Sequence, residues 1–260
     1  LTKDIANKAF DRIKTSRPPL LMEENNLNNI ITGSIENDLD TIKDADWIVE
    51  AVVERIDIKK TIYSKIDNLR KSDALVSSNT SSIPLKVLTE DMSFEMKQVF
   101  CITHFFNPVR YMRLLELVIG SQNDKEKIND LVTFGDKILG KTVVVCNDSP
   151  GFLGNRVGVY AMQVAMTEAF KLGLSVEEAD SVFGRPLGIP KTGIFGLYDL
   201  IGIDLMADVL KSFIKELPMS DPFHEVGNEL PIIKKLIEDG YTGRKGKGGF
   251  FRMNKSSGEK

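Results

Sequence analysis

Five short apolar runs, rich in β-branched and aromatic residues, are spread over residues 46–146 with helical stretches between them, and beyond residue 148 such runs stop. Strand-like runs that alternate with helices specify a doubly wound sheet with helices on both faces. The expected strands lie at 46–53, 74–77, 98–103, 113–119 and 141–146, and the expected helices at about 56–70 and 124–139. From Asp148 onward the pattern is helical almost throughout, which divides the chain into an α/β part, 1–147, and an all-helical part, 148–260. Asp148-Ser149-Pro150 offers an N-cap and a first-turn proline, so a long helix is expected from there through about Leu172.

With 42% hydrophobic residues in 260, the chain can bury a full core and is long enough for two modest domains. Its 34 basic and 37 acidic residues give a net charge of −3 without a long block of one sign, which argues against nucleic-acid and membrane-surface partners. Cys101 and Cys146 lie inside apolar runs and lack metal-ligand spacing, so small buried thiols are expected and no metal site. There is no signal peptide and no run of about 18 apolar residues, which predicts a soluble protein of the reducing cytoplasm.

The residues suited to chemistry gather where the third run ends. His104, one of 2 histidines, follows Gln98-Val99-Phe100-Cys101-Ile102-Thr103, and ligands in open α/β sheets bind beyond the carboxyl ends of strands. Its imidazole can take and return a proton near neutral pH. The 113–119 run is interrupted by one carboxylate, Glu116, which is costly to bury without a partner. His104 is the natural partner: a carboxylate on one ring nitrogen fixes the tautomer, leaves the other nitrogen as a base and stabilises the imidazolium. The competing readings are a core histidine bonded to a backbone carbonyl and a Glu116 that faces water at a sheet edge.

Ser77-Ser78-Asn79-Thr80-Ser81-Ser82 follows the second run and reads as a solvated loop, or as donors for an alcohol or a cofactor amide on the same rim as His104. A serine nucleophile is disfavoured because no Gly-x-Ser-x-Gly elbow is present. Gly151, Gly154 and Gly158 fall within the expected long helix, where glycine costs roughly 1 kcal/mol relative to alanine. They imply a close approach, either sheet packing or room for a ligand beside Asn155. The glycines of 240–249 miss phosphate-loop spacing and read as a flexible basic loop. His224 receives no role, and the stripe Leu197, Leu200, Ile201, Leu205, Val209 reads as core before dimer surface.

Five stretches together are highly specific: Ile48-Val49-Glu50-Ala51-Val52-Val53-Glu54-Arg55, Ser78-Asn79-Thr80-Ser81-Ser82, His104-Phe105-Phe106-Asn107-Pro108, Asn147 through Phe152 with Asn155-Arg156, and Gly243-Arg244-Lys245 with Gly249-Phe250. In this order, spanning nearly the whole chain, they resemble the L-3-hydroxyacyl-CoA dehydrogenase family. The resemblance implies a Rossmann-type domain followed by a helical substrate and dimerisation domain, with NAD-dependent oxidation of an acyl-CoA 3-hydroxyl in the cleft between them. It implies His104 as general base and Glu116 as its orienting acid. Ser81 would bond the substrate oxygen or the nicotinamide, and Asn155 the thioester carbonyl. Ala51, Glu54, Lys59, Asn79, Asn107 and Lys245 would lie against NAD, with an acyl-CoA as substrate.

One departure from the family pattern is the lack of Gly-x-Gly-x-x-Gly after a first strand, the usual pyrophosphate dock. The chain opens at Leu1 on a stretch free of glycine from Lys3 through Arg17, which reads as a helix that follows two strands of the family. The start of the natural protein is therefore expected to be missing, roughly 40 residues by the size of a strand-helix-strand unit, and NAD is expected to bind this chain poorly. The polar tail 252–260 and the stretch Gly188 through Asp199 resemble multifunctional fatty-acid oxidation proteins, in which an enoyl-CoA hydratase domain is fused to the dehydrogenase. A homodimer is the other expected assembly. The rival readings are a catalytically incompetent acyl-CoA-binding or dimerisation fragment, and a sugar-acid dehydrogenase of the same fold.

Overall fold

The computed structural model describes residues 2–188, 191–228 and 230–252. The stretch 253–260, which holds most of the tail read as a linker, and Ile189 and Pro190 lie outside the described residues. Two compact units are present, Leu1–Phe152 and Leu153–Lys260. Phe152 is buried in the core of the first unit, and the division between the units follows it.

The first unit opens with helix α1, Thr2–Thr15. Its sheet has the order β1 (Trp47–Glu50), β2 (Leu75–Ser78), β3 (Phe100–Phe105), β4 (Leu114–Val118), β5 (Thr142–Cys146). Every pairing is parallel except β3 with β4. Between the strands run α2 (Ile56–Leu69), α3 (Leu85–Leu88), α4 (Phe94–Val99) and α5 (Lys125–Lys137).

Side chains alternate along a strand, and the alternation sorts the core into two layers. Ile48, Val76, Phe100, Ile102 and Val118 face one side with Tyr63 and Ile66 of α2. Leu75, Cys101, Leu117 and Val143 face the other with Ile128 and Leu131 of α5. This is the doubly wound arrangement, and burial pushes the Cys101 thiol up to about 12.

Three local expectations change. Gln98 and Val99 end α4 instead of starting the third strand, because Ser93 caps a helical turn through its hydroxyl, bonded by Met96 N at 3.1 Å. Asp148 does not cap the long helix. Its carboxylate accepts from Leu85 N at 2.7 Å and Lys86 N at 3.1 Å, capping α3. The long helix α6 therefore begins at Gly154 and runs to Lys171, while Gly151, at φ +74°, makes the turn that precedes it. A Cβ on Gly158 would meet no atom within 4 Å among the described residues, so close approach is not its reason.

The second unit is helical: α6 is followed by α7 (Val176–Val182), α8 (Phe195–Ile201), α9 (Ile203–Glu216), α10 (Phe223–Val226) and α11 (Pro231–Glu238). Its core centres on Met166, Phe195, Tyr198, Ile203, Leu210 and Phe223. The stripe of α8 and α9 is split, since Leu200 and Leu205 are each 50% exposed while Val209 packs on the core. Among the described residues no helix is long and apolar enough to cross a membrane, and no group of side chains could hold a metal ion.

The glycine-rich segment after α11 is ordered around one buried acid. Asp199 accepts from Phe250 N and Phe251 N, each at 2.8 Å, and a Cβ on Gly249 would lie 1.9 Å from its Oδ1. The flexible-loop reading is thereby corrected: a side chain at Gly249 would collide with the carboxylate. Asp199→Ala strands two amides, each costing about 1–3 kcal/mol when unpaired. The variant is expected to lose roughly 2–6 kcal/mol of unfolding free energy for the helical unit, read as a lowered urea midpoint, with Asp199→Asn intermediate.

Candidate active site in the first unit

The antiparallel pairing of β3 with β4 sets His104 directly opposite Glu116, and directly opposed residues of such a pair project from the same face. His104 Nδ1 lies 2.6 Å from Glu116 Oε2. His104 is 7% exposed and Glu116 0%. A carboxylate can only accept, so Nδ1 carries a proton, and in the neutral ring Nε2 keeps its lone pair. Nε2 has no bonding partner among the described residues. The rings of Phe106 and Phe152, at 4.6 and 5.7 Å, frame the imidazole. Cys146 Sγ stands 3.8 Å from the other carboxylate oxygen, Oε1. His104 is the penultimate residue of β3 instead of following its strand, near the carboxyl end.

The loop between these strands is held from beneath. Lys141 donates to the carbonyls of Val109 and, at 2.8 Å, Met112, and burial pushes its ammonium pKa down. Asn107, at the start of that loop, is exposed.

β2 ends in the serine-rich stretch, and the solvated-loop reading fails for half of it. Ser77, Ser78 and Thr80 are fully buried, while Ser81 and Ser82 are exposed. Asn79 Oδ1 accepts from Phe105 N at 3.0 Å, which locks the ends of β2 and β3 together. Its amide nitrogen and the Ser81 hydroxyl make no hydrogen bond among the described residues.

A polar network missed by the sequence reading lies beside that loop. Glu54 Oε1 accepts from the Thr80 hydroxyl, from Ser81 N at 3.1 Å and from Ser82 N at 3.3 Å. Glu54 Oε2 is 3.2 Å from Lys59 Nζ. Lys59 is 1% exposed and also bonds both oxygens of Glu50, at 2.9 and 3.1 Å. Glu50 in turn accepts from Tyr63 OH at 2.6 Å, Ser78 Oγ at 2.7 Å and Val52 N at 2.6 Å. The signal was available, because Glu50 interrupts an apolar run as Glu116 does. Ala51, next to it, is exposed just beyond the end of β1.

Burial pushes the Glu54 carboxyl pKa up, but the Thr80 hydroxyl and the Lys59 charge together outweigh it, so the net shift is downward from the ordinary value of 4.5. A depressed folded-state pKa contributes stability above the unfolded value and loses it as pH falls through the folded one. The destabilisation of Glu54→Gln is therefore expected to be full above about pH 4.5 and to shrink below it. Thermal unfolding of both proteins across that range measures the gap.

Asn155 and Lys245 belong to the second unit. Asn155 is the second residue of α6 and is half-buried. Lys245 Nζ pairs with Asp204 at 2.8 Å, half exposed.

Residues 2–149 match the family model for the 3-hydroxyacyl-CoA dehydrogenase NAD binding domain, and residues 151–253 that for the C-terminal domain of the same enzyme. A Rickettsia felis protein described as a fatty acid oxidation complex trifunctional enzyme is 43% identical over 256 residues, which is 98% of this chain and 36% of that protein. This chain thus spans about a third of such relatives. A Deinococcus radiodurans protein named as a 3-hydroxyacyl-CoA dehydrogenase is 34% identical over 96% of this chain and 71% of its own length. The crystal structure of (S)-3-hydroxybutyryl-CoA dehydrogenase from Ralstonia eutropha superposes with a TM-score of 0.77 at 29% identity, covering 97% of this chain and 85% of that one.

Proposed function

The chain belongs to the 3-hydroxyacyl-CoA dehydrogenase family, and from that premise we propose that it oxidises the 3-hydroxyl of an L-3-hydroxyacyl-CoA to the 3-keto thioester, a step of fatty-acid β-oxidation. One observation carries the reading: a histidine at the carboxyl end of a central strand has one nitrogen 2.6 Å from a buried carboxylate and the other without a partner among the described residues. NAD, when bound, supplies the acceptor for the hydride that leaves C3. As that hydride leaves, positive character builds at C3 unless the hydroxyl proton departs too, so a base is needed there. His104 Nε2 takes the proton, and Glu116 stabilises the imidazolium that results.

The first unit offers groups that fit the cofactor. Beyond the carboxyl ends of parallel β1 and β2 stand exposed Ala51, the Asn79 amide, the Ser81 hydroxyl and the Glu54 carboxylate. Ser81 donates to the substrate oxygen or the nicotinamide amide, Glu54, Asn79 and Asn107 contact NAD, and Lys59 acts beneath Glu54. Asn155, as donor to the thioester carbonyl, and Lys245, as a cofactor contact, are proposals for the second unit. The intact protein is proposed to be a multifunctional one, with an enoyl-CoA hydratase domain alongside. A homodimer is supported by the half-exposed Leu200 and Leu205.

The test is the absorbance of reduced cofactor when intact protein meets 3-hydroxybutyryl-CoA and NAD. Turnover of the L isomer supports the reading. No turnover, or turnover of sugar acids in preference, overturns it.

A further inference from the structure

Two carboxylates and one ammonium make an unbalanced trio inside the first unit. Glu50 and Lys59 each have a side chain 1% exposed, and Glu54 is 37% exposed. Buried ion pairs add little stability over apolar residues of the same size, because desolvation cancels most of the attraction. Here the charges are also fully hydrogen-bonded, which makes the geometry rigid. Donors and acceptors alternate along the cluster, with both carboxylates accepting and Lys59 donating to each. Tyr63 of α2 and Ser78 of β2 hold Glu50, Glu50 holds Lys59, Lys59 holds one oxygen of Glu54, and the other oxygen collects the 80–82 loop.

We infer that Glu50 and Tyr63, acting through Lys59 and Glu54, are positioning residues that fix the backbone of Ser81 for cofactor and substrate. The inference rests on the reading of Ser81 and Glu54 given above. Without Glu50, the ammonium turns wholly to Glu54 and draws its carboxylate inward, away from the amides of Ser81 and Ser82. The loop is then free to move while β2 and β3 stay locked through Asn79. Tyr63→Phe removes one donor from Glu50 and leaves every charge in place, so it produces the same effect more weakly and without a folding defect. Lys60, on the same helix, pairs outward with Glu90 and Asp91, so its replacement leaves the loop untouched.

The experiment compares Glu50→Gln, Tyr63→Phe and Lys60→Ala in the intact protein, first by amide hydrogen exchange of the peptide covering 79–83 without cofactor. One lost hydrogen bond of about 1.4 kcal/mol corresponds to tenfold in an equilibrium. Exchange at Ser81 and Ser82 is expected to quicken about tenfold in Glu50→Gln and about threefold in Tyr63→Phe, with Lys60→Ala unchanged. In turnover, KM for NAD is expected to rise about tenfold in Glu50→Gln while kcat falls less than threefold. Unchanged exchange in both network variants overturns the inference, as does a loss confined to thermal stability with exchange and KM intact. If wild-type protein shows no turnover, the functional reading falls, while the exchange result still decides whether the network holds the loop.

Discussion

His104→Gln is expected to lower kcat by roughly 10²–10⁴-fold while the protein keeps its fold and its affinity for NAD. Glutamine retains an amide that can still donate to Glu116, so the buried carboxylate is not left bare, and bulk is largely preserved between Phe106 and Phe152. What disappears is a lone pair able to bind a proton near neutral pH, since an amide nitrogen is not basic in that range. KM for acyl-CoA should move little because the loss falls on the chemical step. Initial rates, circular dichroism melts and cofactor titration measure the three quantities separately. A kcat within threefold of wild type would mean that another group removes the proton.

The alternation of strand and helix was legible because each apolar run is short, rich in β-branched residues and bounded by more polar helical stretches. The pairing of His104 with Glu116 was legible from the cost of burying a lone carboxylate. Its exact geometry was not, because that depends on β3 and β4 running antiparallel, and periodicity within a strand carries no sign of its neighbour's direction. The short 106–113 connection hints at it, since a parallel crossover needs a dozen or more residues. Asp148 was misassigned for a related reason. An N-cap motif reads only local sequence, whereas this carboxylate is claimed by amides 62 and 63 residues away. Glu50, an acid amid apolar strand residues, poses the same question as Glu116, but its partners Lys59, Tyr63 and Ser78 come from two other elements, so no local pattern names them.

Glu116→Gln is expected to cost nearly as much as loss of the histidine, roughly 10²–10⁴-fold in kcat. The reason lies in which end of the amide faces the ring. The Cys146 thiol, 3.8 Å from Glu116 Oε1, donates weakly toward it, which favours keeping an oxygen there in the variant. The amide NH₂ then turns to His104 Nδ1 at the place of Oε2, where it must donate. Nδ1 becomes the acceptor, the ring proton moves to Nε2, and the nitrogen required as base is occupied. The imidazolium also loses its counter-charge in a site that is 0% exposed at position 116. ¹⁵N resonances of the ring distinguish the two tautomers directly, and wild type should show protonated Nδ1 where the variant shows protonated Nε2. Glu116→Asp keeps the charge but shortens the reach by one methylene, so it should retain the wild-type tautomer and lose less activity. A variant whose tautomer is switched but whose kcat stays within threefold of wild type would leave Glu116 a packing residue, with no part in aiming the base.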